Sequence, residues 1–97
     1  MRLIIDIDGT ICSHEQDYRK AKPFKNRIAK VNRFYDSGST IIYFTARGTK
    51  TSIDYREITE AQFKRWGVKY HELLFNKPYG DFYVDDKGVD DMWLGER

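Results

Sequence analysis

An unbroken apolar run, Leu3-Ile4-Ile5, stops at Asp6-Ile7-Asp8-Gly9-Thr10 near the start of the chain. A strand without polar alternation is buried on both faces, the condition of a parallel sheet layered with helices. Two acids at the carboxyl end of such a strand stand where open α/β sheets place their ligands. Carboxylates this close repel each other, so the pair needs a cation or a shared proton. Read alone, Asp-x-Asp-Gly is equally an ordinary turn, since Asp and Gly both favour turns. The rest of the chain decides between the two.

The order of the remaining patterns predicts a doubly wound, Rossmann-like α/β fold with a mainly parallel sheet of about four strands. Cys12 to Pro23 is polar and aperiodic, a loop or small hairpin flap beside the acids. Phe24, Ile28, Val31 and Tyr35 then share one helical face, with Pro23 suited to the start and Gly38 to the end. Thr40-Ile41-Ile42-Tyr43-Phe44 is β-branched and aromatic, a second strand ending at Thr45. After the polar stretch 46–52, Asp54 and Glu57 offer a capping box. Tyr55, Ile58, Gln62 and Trp66 form the face of a second helix that Gly67 ends. Leu73-Leu74-Phe75 and Phe82-Tyr83-Val84 read as short strands, followed by Asn76-Lys77-Pro78 and Asp85-Asp86 respectively. A last helical turn holds Val89, Met92, Trp93 and Leu94.

Ninety-seven residues form a single domain, 1–97, and a net charge of +2 is too small to argue for nucleic acid. Cys12 is the only cysteine, which excludes a disulfide framework and a thiolate metal cluster. No apolar stretch approaches a membrane span, and Met1 leads straight into a strand, so a soluble cytoplasmic protein is expected.

Right-handed crossovers bring the carboxyl ends of parallel strands to one edge. Asp6 and Asp8, Thr45, Lys77, and Asp85 with Asp86 would meet there. Each has an ordinary explanation as well: a β-branched strand residue, one of many surface cations, a solvated acidic turn. Together they suit phosphoryl transfer. Asp85 facing Asp6 offers the hard oxygen ligands that Mg²⁺ prefers, whereas the absence of a His/Cys pattern argues against zinc. A metal and Lys77 would neutralise phosphoryl oxygens while Asp6 attacks in line and Asp8 moves the proton. The Thr45 hydroxyl and the following N–H suit an anionic oxygen.

At these residues the chain resembles the haloacid-dehalogenase (HAD) superfamily of Mg²⁺-dependent phosphohydrolases, over nearly its whole length. Asp6-Ile7-Asp8-Gly9-Thr10 resembles the first motif, Thr45 the second, Lys77 the third and Asp85-Asp86 the fourth. The resemblance implies Asp6 as nucleophile and Asp8 as acid/base. It implies metal ligation by Asp6, the Asp8 carbonyl and Asp85, with Asp86 acting through water or by orienting Lys77. Thr45-Ala46-Arg47-Gly48 and the Lys77-Pro78 phrase most resemble small capless members associated with capsule-polysaccharide biosynthesis. Asp90 is an alternative to Asp86 in completing the metal site, while Asp81 precedes the fourth strand and is set aside. A fifth strand is not evident, and a second copy of the chain is one way to cover the sheet edge this leaves.

Arg47, just past Thr45, can fork onto a phosphate or a carboxylate, and His14 in the flap is a second candidate for substrate contact. Arg19, Lys20, Lys22, Arg27, Lys30 and Arg33 read as a solvated basic face, or alternatively as a path for an anionic substrate. Cys12, beside the acids, reads as packing and His71 as structural. The leading expectation is a phosphatase acting on a small phosphorylated metabolite such as a sugar phosphate. Its rivals are a nucleic-acid end phosphatase and a non-catalytic binding or regulatory module of the same fold; the small net charge disfavours a nucleic-acid partner.

Overall fold

The computed structural model describes residues 1–47, 54–75 and 94–97, and the main chain of 82–84. Four strands form one parallel sheet: β1 (Arg2–Asp6), β2 (Thr40–Phe44), β3 (Glu72–Leu74) and β4 (Phe82–Val84), in the spatial order β3-β2-β1-β4. Helix α1 (Lys25–Asp36) joins β1 to β2, and α2 (Arg56–Trp66) stands between β2 and β3. This is a small α/β architecture of Rossmann-like kind. Among the described residues, no helix is long and apolar enough to cross a membrane.

Strand pleating divides the core. Leu3, Ile5, Ile41, Tyr43 and Leu73 point to one face, where they pack with Ile28 and Val31 of α1 and Phe63 of α2. Ile4, Ile42 and Phe44 form a separate buried set on the opposite face. Both described α-helices therefore lie on the same face. The reason is topological. The path β1, β2, β3 steps across the sheet in one direction, and crossovers of one hand then deposit both helices on one side. β4 reverses direction by pairing on the other side of β1, with Ile5 opposite Val84. The order thus reverses between β1 and β4, a topological switch point, and open α/β sheets bind ligands at such a crevice.

Local chemistry explains the boundaries. Pro23 does not open α1; it pairs with Cys12 at the base of the flap, and the helix begins after Phe24. The helix is followed by Gly38 at φ 100°. In α2, Asp54 Oδ1 accepts the Arg56 N–H at 2.9 Å, and Gly67, left-handed at φ 69°, closes the far end. The buried residues of α2 are Thr59, Gln62 and Phe63, with Trp66 packed against the same core, so the inner face keeps Gln62 and Trp66 and extends to Thr59 and Phe63. Edge-to-face rings hold it down: Tyr43 to Phe63 at 5.0 Å and Phe63 to Tyr70 at 5.2 Å between centroids.

Candidate active site

β1 delivers Asp6 to the sheet edge, half-buried, with Oδ1 accepting the N–H of Ile7 at 2.9 Å. The chain then turns tightly. The Ile7 carbonyl accepts N–H groups from Thr10 and Ile11 at 3.1 and 3.0 Å, and Gly9 sits at φ 84°. A Cβ at Gly9 would meet nothing within 4 Å, so the requirement is for the positive φ and not for space. This turn projects the side chain of Asp8 toward the carboxyl end of β2.

There it meets Arg47. Nη2 donates to Asp8 Oδ1 at 2.7 Å, and Nε donates to Oδ2 at 2.9 Å and to Oδ1 at 3.3 Å. Nη1 donates to Gln62 Oε1 at 2.7 Å and to Thr59 Oγ1 at 3.1 Å, both on α2. The Tyr18 ring of the flap lies 4.9 Å from the guanidinium carbon. The Arg47 side chain is 0% exposed and that of Asp8 12%. Burial pulls the guanidinium pKa down, but hydrogen bonding to Asp8 and its charge more than offset this, and Arg47 stays protonated.

Two sequence expectations change accordingly. The cation that the paired acids need is, for Asp8, supplied by the chain itself. Arg47, expected to meet substrate, is instead buried and forked onto the chain's own carboxylate.

Cys12 Sγ lies 3.6 Å from Asp8 Oδ1 and 3.7 Å from the Ile7 carbonyl. Burial, followed by the Asp8 charge, pushes its thiol up to about 12. It is a buried neutral thiol, in keeping with a packing role. Thr45 is buried at the end of β2, its N–H donating to Leu74 O at 3.0 Å and its Oγ1 accepting the Arg47 N–H at 3.1 Å. The oxygen expected to face an anion thus first closes the local turn that aims Arg47, and its own proton remains available to donate.

His14 is exposed on the flap and takes no part in the Asp8–Arg47 bonds. The flap itself is tied at its base, where Ser13 N–H donates to Lys22 O at 2.8 Å. It is clasped to α2 where Gln62 Nε2 donates to Tyr18 O at 2.7 Å. His71 is structural, its Nδ1 accepting the Ile41 N–H at 3.0 Å. Arg27, read as part of a solvated face, is fully buried and donates to Thr10 O and Gly95 O, each at 3.1 Å. Lys77, Asp85, Asp86 and Asp90, the other expected site residues, lie outside the described residues, as do 89–93 of the expected last turn. Among the described residues, no group of three or more His, Cys, Asp or Glu is placed to hold a metal.

Sequence reasoning missed Thr59, Gln62 and Tyr18 as members of this cluster. Gln62 carried the usable signal, a polar residue on the apolar stripe of an amphipathic helix, which needs a buried partner.

A crystal structure of an MCSG target from Vibrio cholerae is similar to this chain, with a TM-score of 0.77 and 28% identity over 96% of this chain and 85% of that one. No family model and no curated protein matches the chain.

Proposed function

We propose that this chain is a Mg²⁺-dependent phosphatase of the HAD type, without a cap domain, that hydrolyses phosphate monoesters of small metabolites such as sugar phosphates. The observation that carries the reading is the inequivalence of the two acids at the switch point. Asp6 closes β1 with Oδ1 on the Ile7 N–H, whereas the tight turn beyond it carries Asp8 onto the buried Arg47 guanidinium. With its carboxylate plane fixed by Arg47, Asp8 is oriented for proton exchange, which leaves Asp6 to act as the nucleophile.

The donor set fits Mg²⁺ in kind. Asp6 is a hard oxygen ligand, Cys12 is neutral and unsuited to compete, and commitment of the Asp8 side chain to Arg47 leaves its main-chain carbonyl as the group to serve a cation. Val84, opposite Ile5, is the last described residue before Asp85, the third ligand implied by resemblance. When bound, the metal would neutralise charge on the phosphoryl oxygens.

Asp6 attacks phosphorus, and a P–O(Asp6) bond forms as the ester P–O bond breaks. Protonated Asp8 gives its proton to the leaving oxygen. Water then gives a proton to Asp8 and attacks phosphorus, releasing phosphate and restoring the Asp6 carboxylate. Lys77 is proposed to neutralise the phosphoryl group, and Thr45 to donate to one of its oxygens.

The test is hydrolysis of p-nitrophenyl phosphate and a panel of sugar phosphates with Mg²⁺, for the wild type and Asp6→Asn. The expected result is metal-dependent release of phosphate that Asp6→Asn reduces by at least about 10³-fold. A wild type inert on every ester, or an Asp6→Asn variant of full activity, contradicts the proposal.

A further inference from the structure

The buried cluster around Arg47 joins four parts of the fold: the turn after β1, the end of β2, helix α2 and the flap. Every guanidinium nitrogen has an acceptor, in Asp8, Thr59 or Gln62. Gln62 works in both directions, its Oε1 accepting from Arg47 and its Nε2 donating to Tyr18 O. The carboxylate at the centre is left asymmetric. Oδ1 receives Nη2, the longer Nε contact and the Cys12 thiol, while Oδ2 receives Nε alone among the described residues. A fork of this kind fixes the plane of a carboxylate as well as its position.

We propose that Arg47 is a positioning residue for proton transfer, forking onto both oxygens of Asp8 and leaving Oδ2, which takes the single Nε bond, as the oxygen that exchanges a proton with the leaving group. Gln62 and Thr59 hold the guanidinium in register for this task. The inference rests on the acid/base role proposed for Asp8. A lysine cannot reproduce it, since an ammonium is a point charge and cannot fork.

The experiment compares kcat/KM, which reports the steps through transfer to Asp6, for phenyl phosphate and p-nitrophenyl phosphate. The two esters differ mainly in how far the leaving oxygen depends on protonation. Loss of a general acid costs about 10²- to 10⁴-fold where protonation is needed. Arg47→Gln and Arg47→Lys are expected to lower kcat/KM for phenyl phosphate by about 10- to 100-fold, with less than about a 3-fold loss on the nitrophenyl ester. Gln62→Leu keeps the guanidinium but frees it, and is expected to show the same selectivity to a smaller degree; it carries the test should Arg47 variants not fold. Combining Arg47→Gln with Asp8→Asn should add nothing to Asp8→Asn alone.

Equal losses on both esters would overturn the proposal, because that is the behaviour of a residue that only maintains the fold. An additive double variant, or a Gln62→Leu enzyme with the wild-type ester ratio, would overturn it too. Failure of the underlying phosphatase reading looks different: a wild type inert on both esters, or Asp6→Asn retaining activity.

Discussion

Asp6 and Asp8 are separated by one residue, yet the fold gives them different surroundings, and that difference comes from side chains remote in sequence. Arg47 lies 39 residues from Asp8, beyond the reach of any local pattern. What local pattern does disclose is the turn: Gly9 at φ 84° is legible as Asp-Gly after a buried strand. Two buried groups near the site carry a pH signature. The Cys12 thiol is pushed up to about 12, and burial raises the Tyr43 hydroxyl further still. In each case the folded state holds its proton more tightly than the unfolded chain. Their stabilising contribution is therefore fully present below the unfolded values, about 8.5 for Cys and about 10 for Tyr, and is lost as pH rises through the folded values. Urea midpoints should fall as pH climbs from about 8 toward about 11. Among the described residues, Tyr43 Oη is also buried without a hydrogen-bond partner. Tyr43→Phe should consequently raise neutral-pH stability by about 1 kcal/mol and shrink the alkaline loss. A Tyr43→Phe variant less stable than wild type in urea would show that the hydroxyl is satisfied in solution.

At the scale of elements, strands and helix ends were read closely while buried polar faces were not. The apolar runs 3–5 and 40–44 announce β1 and β2 because β-branched and aromatic residues suit a pleated, buried surface. Gly67 announces the end of α2 because few other residues accept its backbone angles. The inner face of α2 includes Thr59, a residue to which apolar periodicity gives no weight and which is buried beside Gln62 against Arg47. Arg27 was misread because charge in a sequence does not say where a guanidinium ends up. Its partner Gly95 is 68 residues away, so this one side chain ties α1 to the turn after β1 and to the returning C-terminal segment. Arg27→Ala should cost on the order of 3 kcal/mol, since it leaves two carbonyl groups without their buried donor. Thermal denaturation checks this, and a loss below about 1 kcal/mol would mean that the segment is held by other contacts.

For the molecule as a whole, the parallel sheet follows from pattern but its strand order does not, because strand order is a matter of long-range pairing on which local periodicity is silent. Among the described strands, the order places Asp6 and Asp8 beside the point where the winding reverses, a place from which a small α/β protein can present charge to a ligand. The proposed chemistry turns on phosphorylation of Asp6 at that point. Wild-type protein mixed with Mg²⁺ and phenyl phosphate, quenched in acid during turnover and reduced with borohydride, converts any acyl phosphate to a stable alcohol that peptide mass mapping can locate. A homoserine is expected at position 6, absent without substrate; unmodified Asp6 during active turnover, or reduction at Asp8 instead, would rule out Asp6 as the nucleophile.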